Sequence, residues 1–171
     1  MRRFLALMPP PGLRERLGAL ADVAQARCGG RRMPDASLHL TLAFLGEVGD
    51  EQAEELSEEI RSLAIPAGHW TLDVWGHFRR PGIVWVGGRR PDTALQELHE
   101  RLWERLETHG LPGRPSRFIP HVTLLRGAER LEADDLPDVD LEWPYNQVTL
   151  IHSINDGQPV RYAPLARSRV S

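Results

Sequence analysis

Two short stretches of this 171-residue chain carry the same residue types in the same order. "HLTLAFLG" starts at His39, and "HVTLLRG" starts at His121, 82 positions later. Each is a His, an apolar residue, a Thr and a Leu. On a strand, residues i and i+2 project to one face. His39 and Thr41 therefore project together, with Leu38, Leu40 and Leu42 turned the other way into a core. His121 and Thr123 do the same, with Val122 and Leu124 behind them. A single His-x-Thr is commonplace and mostly structural. Two copies, each following an equivalent helix and loop, point to chemistry. Facing each other across a groove, they offer two imidazoles and two hydroxyls, the equipment for moving two protons around one phosphate. One His takes a proton from the attacking oxygen and the other gives one to the leaving oxygen. Imidazole suits both tasks because its pKa lies near working pH. The Thr hydroxyls bond the non-bridging oxygens and the charge that grows on them.

Other chemistries fit less well. A metal held by His39 and His121 wants a carboxylate or a third His within the motifs, and neither has one, so no metal is expected. "GGRRP" lacks the Lys-Ser/Thr of a phosphate-binding P-loop, and no nucleotide cofactor is implied. Cys28 is the only cysteine and can form no internal disulfide. The remaining histidines (His69, His77, His99, His109, His152) have no base, nucleophile or metal partner at a useful spacing and read as structural or surface. His77 is the exception to watch, because "GHFRRPG" could border the groove. The five Trp residues read as core and edge packing. Arg79, Arg80 and Arg117 could line an RNA path, although a solvated position is the default for Arg.

The elements that must position the two pairs follow from periodicity. Arg2–Met8 reads as a strand. Leu13, Leu17, Leu20 and Ala24 line one face of a helix stopped by Gly29. "SLHLTLAFLGEV" reads as a strand. Asp50 is a plausible N-cap for a second helix with Ala53, Leu56, Ile60 and Leu63 inward, ended by Pro66. "HWTLDVWGHF" and "GIVWVGG" read as a hairpin joined through "RRPG". Asp92 can cap a third helix with Leu95, Leu98, Leu102 and Leu106 on one face and Gly110 as its stop. "FIPHVTLLRG" is a strand, 129–144 an exposed connection, and "NQVTLIHSI" and "VRYAPLARSRV" a closing pair around a turn at Asn155–Gly157. Strand, proline, helix, glycine, basic loop and His-x-Thr strand thus occur from Phe4 to Leu45 and again from Ile83 to Leu125. The expectation is one bilobal α+β domain over residues 1–171 with an internal repeat and mainly antiparallel strands.

Composition bounds the partners. The net charge of −3 excludes a uniformly basic nucleic-acid-binding surface. No run approaches the roughly 20 apolar residues of a membrane span. The apolar run at the N-terminus stops at three prolines, short of a signal peptide, so a cytoplasmic protein is expected; a monomer is expected as well.

The sequence resembles the two-histidine (2H) phosphoesterase superfamily, and within it the RNA 2′,3′-cyclic phosphodiesterase family, also called 2′-5′ RNA ligase. The likeness rests on "RRFLALMPP", "LHLTLAFLGEV", "GHFRRPGIVWVG" and "FIPHVTLLR" in that order. It implies two antiparallel sheets facing across a central groove with helices outside. It also implies metal-independent opening of an RNA 2′,3′-cyclic phosphate to a 2′-phosphate, with tRNA fragments among the RNAs expected. His39 would protonate O3′ and His121 would activate water. ATP-independent 2′-5′ joining would use the same pair of proton transfers. Arg126 matches a phosphate-contacting position, although simple alternation puts it opposite His121; a bulge or the strand end must turn it inward. Phe44 and Phe118 are candidates for stacking a base; Phe44 shares a face with the core leucines and is expected in the core, which leaves Phe118. The alternatives are another cyclic phosphate substrate, such as a small cyclic nucleotide or ADP-ribose 1″,2″-cyclic phosphate, or an RNA-end binding module without turnover.

Overall fold

The computed structural model describes residues 2–131, 133–155 and 160–170. Its strands are β1 (Arg2–Leu7), β2 (Arg31–Arg32), β3 (Leu40–Glu47), β4 (Gly68–Leu72), β5 (Val74–Phe78), β6 (Ile83–Gly87), β7 (His121–Arg126), β8 (Leu141–Tyr145), β9 (Thr149–Ile154) and β10 (Arg161–Arg167). The helices are α1 (Pro11–Cys28), α2 (Asp50–Ser62) and α3 (Thr93–Thr108). The fold is α+β and its strand pairs within the sheets are antiparallel.

The strands run β10-β9-β1-β3-β7-β6-β5, with β2 also on β7, and β4 pairs β8 in a separate two-stranded sheet. The long run is two half-sheets. β3 and β7 are joined by one pair, Leu40 opposite Val122. β7, which carries His121 and Thr123, and β3, which carries Thr41 and begins one residue after His39, are thus the inner edges of their halves, and the seam between them is where the motifs meet.

The helices exchange sides. α1, which follows β1, packs on β7; α3, which follows β6, packs on β3; α2 packs on β9 and β10. α1 buries Leu13, Leu17, Ala21, Ala24 and Cys28, a stripe that drifts off Leu20 as 3.6-residue periodicity requires. α3 is capped as expected, the Asp92 carboxylate accepting from the Leu95 N–H at 2.9 Å, with Gly110 at φ 77° past its end. One apolar cluster runs under both halves and includes Leu38, Leu40, Leu42, Val122 and Leu124. Trp70, Trp103 and Trp143 are its largest members.

Four expectations need correction. Asp50 is the first helical residue of α2 rather than its cap; Gly49 caps it without a side chain, and α2 ends at Ser62, ahead of Pro66. "HWTLDVWGHF" is not one strand. Asp73 donates its N–H to the Gly87 carbonyl at 2.8 Å and its carboxylate accepts from the Arg89 N–H at 2.7 Å. That anchors a corner, so β4 leaves for β8 while β5 alone pairs β6. The connection 129–144 ends in a strand, because Leu141, Trp143 and Tyr145 alternate inward, with Trp143 against Trp70 at 5.5 Å. Phe44 is the fourth and is treated below. The turn expected at Asn155–Gly157 falls mostly outside the described residues.

Candidate active site

Each motif histidine is fixed from behind by the carbonyl two residues earlier. His39 Nδ1 donates to the Ser37 carbonyl at 2.7 Å, and His121 Nδ1 to the Ile119 carbonyl at 2.7 Å. A carbonyl only accepts, so Nδ1 carries hydrogen in both rings and Nε2 is left to face the groove. His39 Nε2 accepts from the Thr41 hydroxyl at 2.8 Å. His121 Nε2 and the Thr123 hydroxyl have no protein partner among the described residues.

The segments that carry these carbonyls are themselves held. Ser37 closes a single 3₁₀ turn, Asp35–Ser37. Arg14 of α1 donates to the Leu38 carbonyl at 3.2 Å and also to the Asp35 carbonyl. Arg32 binds the Asp35 carboxylate at 2.6 Å, Asp22 at 2.6 Å and the Gly18 carbonyl at 2.9 Å. Gly18 makes room for this, since a Cβ there would lie 2.7 Å from Asp35 Oδ1. On the other side Gln96 of α3 donates to the Phe118 carbonyl at 3.0 Å. Arg14 and Gln96 are each the fourth residue of their helix.

Two bulges set the rest of the face. Across β6 and β7, Val84 lies opposite Leu125 but Trp85 lies opposite Thr123, so Leu124 is an extra residue. Leu124 and Leu125 both turn into the core, and Arg126 emerges on the face of His121 and Thr123. Across β1 and β3, Leu5 lies opposite Ala43 and Ala6 opposite Thr41, so Leu42 is extra in the same way. Ala43 is buried and Phe44 emerges, 53% exposed. This overturns the expectation of a core Phe44: strict alternation fails at the bulge. Phe44 and Arg126 each stand five residues after their motif His. Superposing the two copies would have paired them.

Each imidazole also sits between two aromatic rings that sequence reading missed. His39 lies 4.8 Å from Phe4 and 5.5 Å, edge-on, from Tyr162. His121 lies 5.1 Å from Phe78, edge-on, and 5.8 Å from Trp85. Trp85 thus packs against His121, and Gly76 leaves the space its indole fills. Burial pushes the His39 imidazole down to about 4; the Ser37 hydrogen bond opposes this, while His121, Arg126 and Arg14 add to it. Burial lowers His121 too, and Arg126 lowers it further. Both rings are neutral at pH 7 in the free protein. An anion on Arg126 would raise both, because it supplies the opposite charge.

A cleft of about 610 Å³ is lined by Arg2, Arg31, Phe44, Arg126 and Tyr162, among others. A second of about 350 Å³ is lined by Thr41, Phe44, Phe78, Phe118 and His121. Phe44 belongs to both. Phe118 stacks on His99 at 4.1 Å with the rings 3° from parallel, so one of its faces is taken. His109 pairs with Glu59 between α2 and α3, and His69 lies on β4; neither lines these clefts. Among the described residues no group of three or more His, Cys, Asp or Glu side chains could hold a metal ion. No helix among them is long and apolar enough to cross a membrane.

Comparison with known proteins gives the family of the chain. The family model of the 2′-5′ RNA ligase superfamily matches residues 9–157. A protein of Escherichia coli K12 named RNA 2′,3′-cyclic phosphodiesterase is 34% identical over 168 residues, covering 97% of this chain and 94% of its own. One of the same name from Thermotoga maritima is 30% identical, covering 74% and 70%. The crystal structure of E. coli LigT complexed with 3′-AMP superposes with a TM-score of 0.83 at 33% identity, over 97% of this chain and 95% of that one. A Thermus thermophilus structure reaches 0.75 at 27% identity, covering 98% and 96%. The chain belongs to the 2′-5′ RNA ligase superfamily.

Proposed function

We propose that this protein is an RNA 2′,3′-cyclic phosphodiesterase that opens the cyclic phosphate to a 2′-phosphate with two histidines and no metal. The observation that carries the reading is the pair of imidazoles, each pinned at Nδ1 by a carbonyl and turned with Nε2 into one groove beside Arg126. Water attacks phosphorus. His121 Nε2, free and neutral, takes the proton of that water. The P–O3′ bond breaks, and His39, protonated at Nε2 once the anion has raised its pKa, gives its proton to O3′. Arg126, Thr41 and Thr123 hold the non-bridging oxygens as charge builds on them. Phe44 offers the terminal base an aromatic face, in preference to Phe118. With a 5′-hydroxyl in place of water, the same transfers join two ends as a 2′-5′ linkage: O5′ attacks phosphorus and gives its proton to His121, and P–O3′ breaks as His39 protonates O3′. The E. coli relative has been crystallised with 3′-AMP, phosphate, ATP and NADP+, which fits a site for nucleotides and their phosphates.

We assign the chain to one bilobal domain with an internal repeat, acting as a monomer in the cytoplasm on RNA ends such as those of tRNA fragments. The matching order strand, helix, His-x-Thr strand in each half supports the repeat.

His39→Ala and His121→Ala are expected to lose about 10²–10⁴ in kcat on a 2′,3′-cyclic phosphate end while unfolding cooperatively. Because both imidazoles are lowered, the wild-type kcat/KM profile is a bell centred below pH 6.5, the ordinary histidine value. Turnover retained in both variants would defeat the two-histidine reading. Binding without turnover by the wild type would make the protein an RNA-end binding module.

A further inference from the structure

The cleft of about 610 Å³ beside the histidines has a charge pattern that one cyclic phosphate leaves unexplained. Four arginines line it, Arg2, Arg31, Arg32 and Arg126, and its described lining contains no carboxylate, in a chain of net charge −3. Arg32 is already occupied by Asp22 and Asp35. Arg2, Arg31 and Arg126 have no ion-pair partner among the described residues. Moreover, Arg31 of β2 lies directly opposite Arg126 of β7. Cross-strand neighbours share a face with their Cβ atoms about 5 Å apart, and like charges there repel. A fold that sets two guanidiniums side by side without a counter-charge is built for an anion between or along them. Arg126 is committed to the reacting phosphate. Arg31 and Arg2 line the same cleft as Arg126, together with Tyr162 and Ser153, and leave positive charge for a further anionic group.

We infer that Arg31, with Arg2, forms a second phosphate subsite that takes the phosphodiester on the 5′ side of the terminal nucleotide, so that the protein selects polynucleotide ends over mononucleosides. This rests on the cyclic phosphodiesterase reading and deepens it. A mononucleoside 2′,3′-cyclic phosphate has one phosphate and fills only the Arg126 side. The shortest substrate that fills both sides is a dinucleotide.

The test compares kcat/KM for adenosine 2′,3′-cyclic phosphate, for an adenylyl dinucleotide ending in a 2′,3′-cyclic phosphate, and for the same dinucleotide with a neutral methylphosphonate linkage. The wild type is expected to favour the charged dinucleotide by about tenfold or more, through KM, as one charge-assisted contact requires. The neutral dinucleotide should fall back toward the mononucleoside. Arg31→Gln and Arg2→Gln should collapse the charged-over-neutral ratio toward one. Arg101→Gln, on the exposed face of α3, is the charge-matched control and should keep it. A wild-type ratio near one, or a ratio that survives both cleft variants, would overturn the subsite while leaving cyclic phosphodiesterase activity intact. Failure to turn over any of the three would instead defeat the underlying reading, and the subsite with it.

Discussion

At the scale of the residue, the two imidazoles are alike in tautomer and unlike in occupation. Nδ1 is bonded to a carbonyl in both, but His39 Nε2 already holds the Thr41 hydroxyl while His121 Nε2 is open. The open nitrogen suits a base that must accept from water. The occupied one can exchange its hydroxyl for a substrate oxygen. Keeping His39 neutral inside the fold has a consequence for stability. Its folded value near 4 lies below the ordinary 6.5, so between those values the unfolded chain binds more protons than the native one. Stability therefore rises with pH across this window. About 3 kcal/mol from His39 is fully present above pH 6.5 and lost as pH falls toward 4. Urea titrations at pH 7, 5.5 and 4.5 should show this decline, and His39→Gln should flatten it. An equal slope in the variant would assign the decline to other groups, Glu59 among them. His39, Thr41, His121 and Thr123 were legible because their spacing alone places them. The four flanking rings were not: Phe4, Tyr162, Phe78 and Trp85 come from four different strands, and only register brings them to the histidines.

At the scale of the element, the bulges decide which residues the groove receives. Leu42 and Leu124 each add a residue to one strand only, and so deliver Phe44 and Arg126 to the groove face. Alternation read from sequence is right up to the bulge and inverted after it, which is why Phe44 was misplaced and Arg126 needed a special turn. The three helices were legible from apolar spacing. The division of β4 from β5 was not, because it depends on two hydrogen bonds at Asp73 that a run of β-favouring residues conceals. Gly76 tests how far β5 positions the site. A Cβ there would come within 2.0 Å of Trp85 Cζ2, so Gly76→Ala forces the indole off its place beside His121. It should cost about 1–3 kcal/mol in unfolding free energy and lower kcat/KM. A variant with unchanged stability and activity would show that the indole relocates freely and does not support His121.

At the scale of the whole molecule, the half-sheets touch through one strand pair, and the helices bind them together by crossing over: α1 backs β7 and α3 backs β3. Each helix thus supplies, from its fourth residue, a hydrogen bond to the loop before a motif histidine, Arg14 for His39 and Gln96 for His121. The distance between the imidazoles is set by this arrangement as a unit. Charge is divided in the same way. Six carboxylates stand in residues 50–59, on α2, while Arg2, Arg31 and Arg126, without an ion-pair partner among the described residues, line the cleft, so a net negative protein presents a positive mouth to RNA. The single measurement that bears most directly on the two-histidine account is incubation of the purified protein, in excess EDTA, with a short RNA ending in a 2′,3′-cyclic phosphate, and identification of the new terminus. Conversion to a 2′-phosphate with a free 3′-hydroxyl is expected, abolished in His39→Ala and in His121→Ala. A 3′-phosphate terminus, or turnover that stops with EDTA and returns with a divalent cation, would contradict it.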